Sequence, residues 1–201
     1  MIHLTNITVL DNKTYPGADA LEQGFSIKCQ DVNLLVGNQG CGKSTLLKLL
    51  SANNKALKID LCKESMIKGV NSFYFDSEAD NPRMKDPENY TNPGGTSKGY
   101  GYGNAIIARF KSHGEVLEPI VIAPLLTAKD SVILLDEPES GLSITNQFRL
   151  IDAIKIAVKN NCQFFIATHC YPLIMAFDDI ISLEHRKPMT SAEFIKRASK
   201  I

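Results

Sequence analysis

Apolar and polar residues alternate along IHLTNITV, residues 2–9, the period-two pattern of a strand with one buried face. A polar turn follows, punctuated by Pro16-Gly17. Residues 24–29 predict a second strand. Val32–Val36 predicts a third, apolar at nearly every position and therefore buried on both faces. A helix is expected over 43–52, with Leu46, Leu47, Leu49 and Leu50 on its buried side. NSFYF, residues 71–75, reads as another strand. The stretch 76–103 is polar and rich in Gly, Pro and Asn. Its segment PGGTSKGYGYG holds five glycines and disfavours regular structure. A helix starts near Gly114, with Pro119 bending it or sitting in its early turns. Residues 132–135 form a buried strand that runs into Asp136-Glu137-Pro138. Helical spacing places Phe148, Ile151, Ile154 and Val158 on one face over 145–159. A strand at 164–167, a short helix at 172–177 and a strand at 180–183 follow. A last helix runs to about Ser199, opened by the capping-box pair Thr190 and Glu193. Strands alternating with helices predict one α/β domain over 1–201. Its central sheet is mainly parallel with helices on both faces and an antiparallel N-terminal β edge, and 76–103 is a flexible loop or insertion.

One segment changes this picture from fold to chemistry. Gly37-Asn38-Gln39-Gly40-Cys41-Gly42-Lys43-Ser44 matches G-x-x-x-x-G-K-[ST] in full, between an apolar strand and an apolar helix. Chance supplies the pattern in roughly one chain in a hundred of this length. Its glycines let successive backbone N–H groups curl around phosphate oxygens, and the positive end of the helix beginning at Lys43 points at them. Lys43 is placed to reach the β and γ phosphates, Ser44 to ligate Mg²⁺, and Thr45 to follow in the first helical turn. The expected ligand is a nucleotide with its Mg²⁺. Cys41 is small enough simply to fit the loop. A thiol at a helix N-terminus is also more easily ionised, and its oxidation is then expected to block the nucleotide.

The second constellation is SVILLDEPESGLS, residues 131–143. The apolar strand delivers Asp136 towards the Mg²⁺, through water, and Glu137 projects differently, where it can orient or deprotonate an attacking water.

Composition narrows the setting. Hydrophobic residues make up 44 % and charged residues 22 %, ordinary for a globular domain. With 22 basic and 22 acidic residues no strong basic field advertises nucleic acid, and Lys196-Arg197 reads as a solvated helix face. Five cysteines without a CxxC pair or zinc-ligand spacing point to a reduced, cytoplasmic setting. No apolar run is long enough to span a bilayer.

Taken in order, these motifs resemble the ATP-binding-cassette (ABC) type of P-loop ATPase. DEPESGLS after a hydrophobic run is similar to that group, with residues 140–143 in the D-loop position. The resemblance implies that His169, in FFIATHCYPLIMAF, is the switch histidine that contacts the γ phosphate. It also implies a signature motif at residues 111–115, Lys-Ser-His-Gly-Glu, in which Ser112 and the backbone of Gly114 bind the γ phosphate held by a second subunit. This SHGE form resembles soluble ABC-type ATPases related to SMC and OLD-family heads. Tyr15 stands where such proteins stack an aromatic ring on adenine, and equally reads as a turn tyrosine. The family's Q-loop glutamine is not found after the strand at 71–75, where FYFDSE offers Asp76 or Glu78 instead.

The implied function is ATP hydrolysis by a head-to-tail homodimer that closes on nucleotide. No heptads occupy the stretch between Thr45 and Ser112, so no coiled-coil arm is expected, and only a short helix lies beyond residue 185. An effector is therefore expected as a separate protein, a nuclease among the candidates, in DNA repair, recombination or defence. The alternatives are an ATP-gated assembly module with little turnover, or a transporter's ATPase subunit. Tyr90, Tyr100 and Tyr102, beside Arg83, Lys85 and Lys98, allow nucleic acid contact by the 76–103 loop, against which stands a plain flexible insertion.

Overall fold

A computed structural model describes residues 3–13, 15, 18–62, 71–77, 80 and 113–199, with side chains from 119 in the last stretch. Its organising element is strand β3 (Val32–Val36), four of whose five residues are buried. β3 lies between two parallel neighbours, pairing Leu34 with Ile166 of β7 (Gln163–Ala167) and with Ile180 of β8 (Asp179–Ser182). Outward from β7 come β6 (Ser131–Asp136) and β5 (Asn71–Asp76), both parallel. The far edge is β9 (Lys187–Thr190), antiparallel to β8. Among the described residues the order is thus β5-β6-β7-β3-β8-β9.

β1 (Leu4–Val9), β2 (Ser26–Lys28) and β4 (Leu57–Leu61) form a separate antiparallel sheet, with β1 in the middle. The antiparallel N-terminal strands thus pair with one another and with β4, and the antiparallel edge of the large sheet comes from β9.

Period-two alternation sorts the core onto two faces of the large sheet. Leu34, Val36, Ile133, Leu135, Phe164 and Ile166 face α2 (His113–Thr127), α3 (Ile144–Lys159) and α4 (Tyr171–Ala176). Leu35, Val132, Leu134, Phe165 and Ala167 face α1 (Lys43–Ser51) and the small sheet. α1 buries all four of its leucines. α3 corrects one expectation. Its buried stripe is Leu150, Ile151, Ala153, Ile154 and Ala157, so the true apolar face is turned away from Phe148, which is 56 % exposed. α5 (Ser191–Ala198) begins as its capping residues require, Thr190 Oγ1 accepting from the Glu193 N–H at 3.1 Å. Lys196 and Arg197 lie exposed on its outer side, Arg197 paired to Glu193.

A single side chain ties the two sheets together. The fully buried amide of Gln163 accepts from the N–H groups of His3 and Leu4 and donates to the carbonyls of Leu4 and Gln30. No described helix is long and apolar enough to cross a membrane. Ser112 and nearly all of the 76–103 stretch lie outside the described residues; Gly114 falls in the first turn of α2.

Candidate active site

Parallel strands β3, β6 and β5 end on the same side of the sheet, and the residues beyond their C-termini converge on one cleft of about 480 Å³. Gln39, Gly40, Gly42, Lys43, Ser44 and Thr45 come from the turn after β3; Asp136 and Glu137 from the end of β6; His169 from beyond β7. Gly37, Asn38 and Cys41 shape the loop without lining the cleft. Tyr15 packs at the margin of the core beneath α1 and the small sheet, and does not line it either.

The loop needs glycine at two positions for separate reasons. Gly42 has φ +94°, and a Cβ there would meet the Leu21 Cδ2 at 2.8 Å. Gly37 has φ +143°, and a Cβ would meet the Cys41 sulfur at 2.8 Å and the Glu184 nitrogen at 3.2 Å. Within the loop, the Asn38 amide donates to Glu184 Oε1, beyond β8, at 2.8 Å. Lys43 is buried, its ammonium donating to the carbonyls of Gly37 (3.0 Å) and Asn38 (3.1 Å). Its charge is thereby held at the centre of the loop.

Ser44, in the first turn of α1, donates its hydroxyl to Asp136 Oδ1 at 3.0 Å. A hydroxyl and a carboxylate side by side are hard oxygen donors, the chemistry that suits magnesium. Burial pushes the Asp136 carboxyl above its ordinary range, opposed by the Ser44 hydrogen bond and reinforced by the Asp76 charge. A divalent cation would reverse that rise.

Glu137 takes a left-handed backbone, φ +47°, fixed by its N–H donating to the Ala167 carbonyl at 2.9 Å. Holding a non-glycine residue there costs about 1–3 kcal/mol, a form of strain that clusters at functional sites. Its Oε1 lies 3.8 Å from His169 Nε2, both side chains being about half exposed. Burial, then the nearby Lys43 charge, hold the imidazole below its ordinary pKa against the opposing pull of Glu137, so His169 is neutral at neutral pH.

These features can be set beside known proteins. A family profile described as "AAA domain, putative AbiEii toxin, Type IV TA system" matches residues 119–176. The chain is 22 % identical to an aliphatic sulfonates import ATP-binding protein of Pseudomonas syringae pv. tomato, over 90 % of this chain and 82 % of that protein. It is 24 % identical to a zinc import ATP-binding protein of Photobacterium profundum, over 92 % of this chain and 75 % of that one. Its fold matches a dimeric ATP-binding cassette in a post-hydrolysis state bound to ADP and Pi, with TM-score 0.57 and 18 % identity over 95 % of this chain and 99 % of that one. In fold and in the order of its motifs the chain is similar to ABC-type P-loop ATPases. A nucleotide-free cassette from an ABC transporter is also similar in fold, with TM-score 0.57 and 17 % identity over 100 % of this chain and 96 % of that one.

The cleft also holds Asp19, Ala20 and Lys48, which pattern reading did not assign to the site, and Asp76, which it offered in place of a glutamine. Asp19 and Ala20 enter it from the single turn of 3-10 helix at Ala18–Ala20, in a region the turn signals had hidden. Lys48 is one helical turn beyond Ser44, a spacing that could have pointed to it, and its ammonium lies 3.7 Å from Asp76. Asp76 sits in register with Asp136 across β5 and β6, so the strand offering no glutamine places a second carboxylate beside the first. The Tyr74 hydroxyl lies between them, 3.4 Å from Asp76 Oδ2 and 3.5 Å from Asp136 Oδ2. Burial raises the Tyr74 phenol, with the two carboxylates adding to the rise, so it keeps its one proton and can donate it to either.

Proposed function

We propose that this cleft binds Mg-ATP and that two copies of the chain close head to tail around it to hydrolyse the γ phosphate. The observation that supports the site assignment is the Ser44–Asp136 hydrogen bond, which joins the phosphate loop to the acidic strand. In this reading the backbone N–H groups of 37–45 cradle the phosphates. Lys43 exchanges its two loop carbonyls for phosphate oxygens, an exchange between acceptors with little change in burial. Ser44, and Asp136 through water, would hold a magnesium ion, whose charge would polarise the phosphates. Glu137 orients the water and accepts its proton. Neutral His169 donates to the γ phosphate from the far side of the cleft. Ser112 and Gly114 of each copy complete the partner's site.

Binding is tested with Lys43→Ala, which should bind no ATP by calorimetry while wild type does. Wild-type affinity in that variant would remove the phosphate-loop assignment.

For the biological role, the reading is an ATPase head that drives or regulates a separate effector in DNA repair, recombination or defence. The family description over 119–176, which names a type IV toxin–antitoxin system, supports defence. The names of the import proteins favour a second reading, an ATPase subunit of a transporter. Capture from cells on the Glu137→Gln variant in ATP separates them: a nuclease or DNA supports the first, a membrane protein the second.

A further inference from the structure

Glu139 lies three residues beyond Asp136, yet its side chain turns away from the cleft and is only 9 % exposed. Oε1 accepts from the Thr168 hydroxyl at 2.6 Å and from the His169 N–H at 3.2 Å. Thr168 Oγ1 in turn accepts from the Cys170 N–H at 2.9 Å. One carboxylate oxygen therefore fixes three consecutive residues beyond β7. Its own backbone is fixed as well, because the Glu139 carbonyl accepts from the Leu142 N–H and the Glu137 carbonyl accepts from the Ser140 N–H. The other oxygen, Oε2, is buried without a hydrogen-bond partner. Leaving a buried carboxylate oxygen bare is unfavourable, and an apolar side chain would fill the space without that penalty. The Thr168 hydroxyl and the His169 N–H are what the acceptor here serves.

What the acceptor joins is the base and the histidine. The turn after β6 carries Glu137, and the turn after β7 carries His169. Between these turns run one backbone bond, Glu137 N–H to the Ala167 carbonyl, and the two side-chain bonds of Glu139. We propose that Glu139 is a positioning residue that holds the His169 turn in fixed relation to Glu137, so that both side chains face one point in the cleft. Glu139 touches neither the cleft nor any reacting atom. It acts through the Thr168–His169 backbone, where misplacement by about 1 Å reduces turnover by up to about a hundredfold. This rests on the assignment of Glu137 and His169 above.

The test compares Glu139→Gln, which keeps one carbonyl acceptor, with Glu139→Ala, which removes it. Two readouts are used: ATP turnover against ATP affinity, and titration of the His169 imidazole by NMR in nucleotide-free protein. Expected for Glu139→Ala is a kcat about tenfold to a hundredfold lower, with ATP affinity within about threefold of wild type. Its His169 pKa should move up towards about 6.5 as the turn loosens away from Lys43. Glu139→Gln should stay within about threefold of wild type in kcat, with His169 titrating as in wild type. If Glu139→Ala does not fold, Thr168→Val removes the hydroxyl, and with it both the bond to Glu139 and the acceptor for the Cys170 N–H, and the same upward shift of His169 is expected. Wild-type turnover and an unmoved His169 in Glu139→Ala, or a Gln variant as impaired as Ala, would overturn the proposal. If wild type itself does not turn over ATP, the reading of the cleft has failed instead, and the His169 titration still decides whether Glu139 positions that turn.

Discussion

Glu137 Oε1 stands 3.8 Å from His169 Nε2 across the mouth of the cleft, although 32 residues separate them in sequence. The pair meets because β6 and β7 are adjacent and parallel, so the residues just past their ends face one another. Neither side chain is buried, which leaves both free to turn towards a bound phosphate.

Replacing Glu137 by Gln keeps the side-chain shape and removes the base. Turnover should fall by about a hundredfold or more, in the range that loss of a general base produces. ATP affinity should persist, and with ATP present the variant should elute as a dimer in size-exclusion chromatography. Brisk phosphate release would contradict the assignment.

The depressed imidazole pKa of His169 gives a pH dependence with a definite sign. The native state favours neutral His169, so its contribution to stability is full above the ordinary value of about 6.5 and is lost as pH falls through the lower folded value. Turnover should follow the same limb, level above about pH 6.5 and declining below it as the ring takes a proton beside Lys43. Profiles of kcat against pH for wild type and His169→Gln test this, because the acidic limb assigned to His169 should disappear in the variant.

Gly42→Ala puts a methyl group 2.8 Å from Leu21 at a backbone φ of +94°. Strain and overpacking together should destabilise the fold by about 1–3 kcal/mol, lowering Tm by roughly 3–10 °C. Since the same residue precedes Lys43, ATP affinity should fall too. Thermal denaturation with and without ATP measures both.

Ser44→Ala removes the hydroxyl donor to Asp136 and one of the two oxygens offered to a metal. Turnover should be lost, as it should in wild type on chelation with EDTA, and added magnesium should restore only wild type. Full activity of Ser44→Ala in magnesium would place the ion elsewhere.

Pattern alone located β3 within its observed bounds and α1 to within a residue, because an uninterrupted apolar strand followed by a glycine loop and a leucine-rich helix leaves few alternatives. β4 escaped because LKIDL is short and half polar; only its pairing with β1 makes it a strand. β9 escaped because Pro188 argues against a strand, yet an outer edge tolerates a missing N–H. The apolar stripe of α3 was mislaid by one residue, since Phe148 is hydrophobic but faces outward. At the site, the residues carried by motifs were legible in order, and the cleft gathers Lys43, Ser44, Asp136, Glu137 and His169. Glu139 was not, because a glutamate after a proline carries no signal until its burial and its partners across the sheet are known.

Gln163 opens β7, and His169 follows the end of the same strand. The amide that staples the small sheet to the large one therefore sits at the tail of the rod whose tip carries the histidine. Any partner gripping the N-terminal strands would have a stiff lever on the chemistry, with no hinge among the fully buried residues between handle and blade.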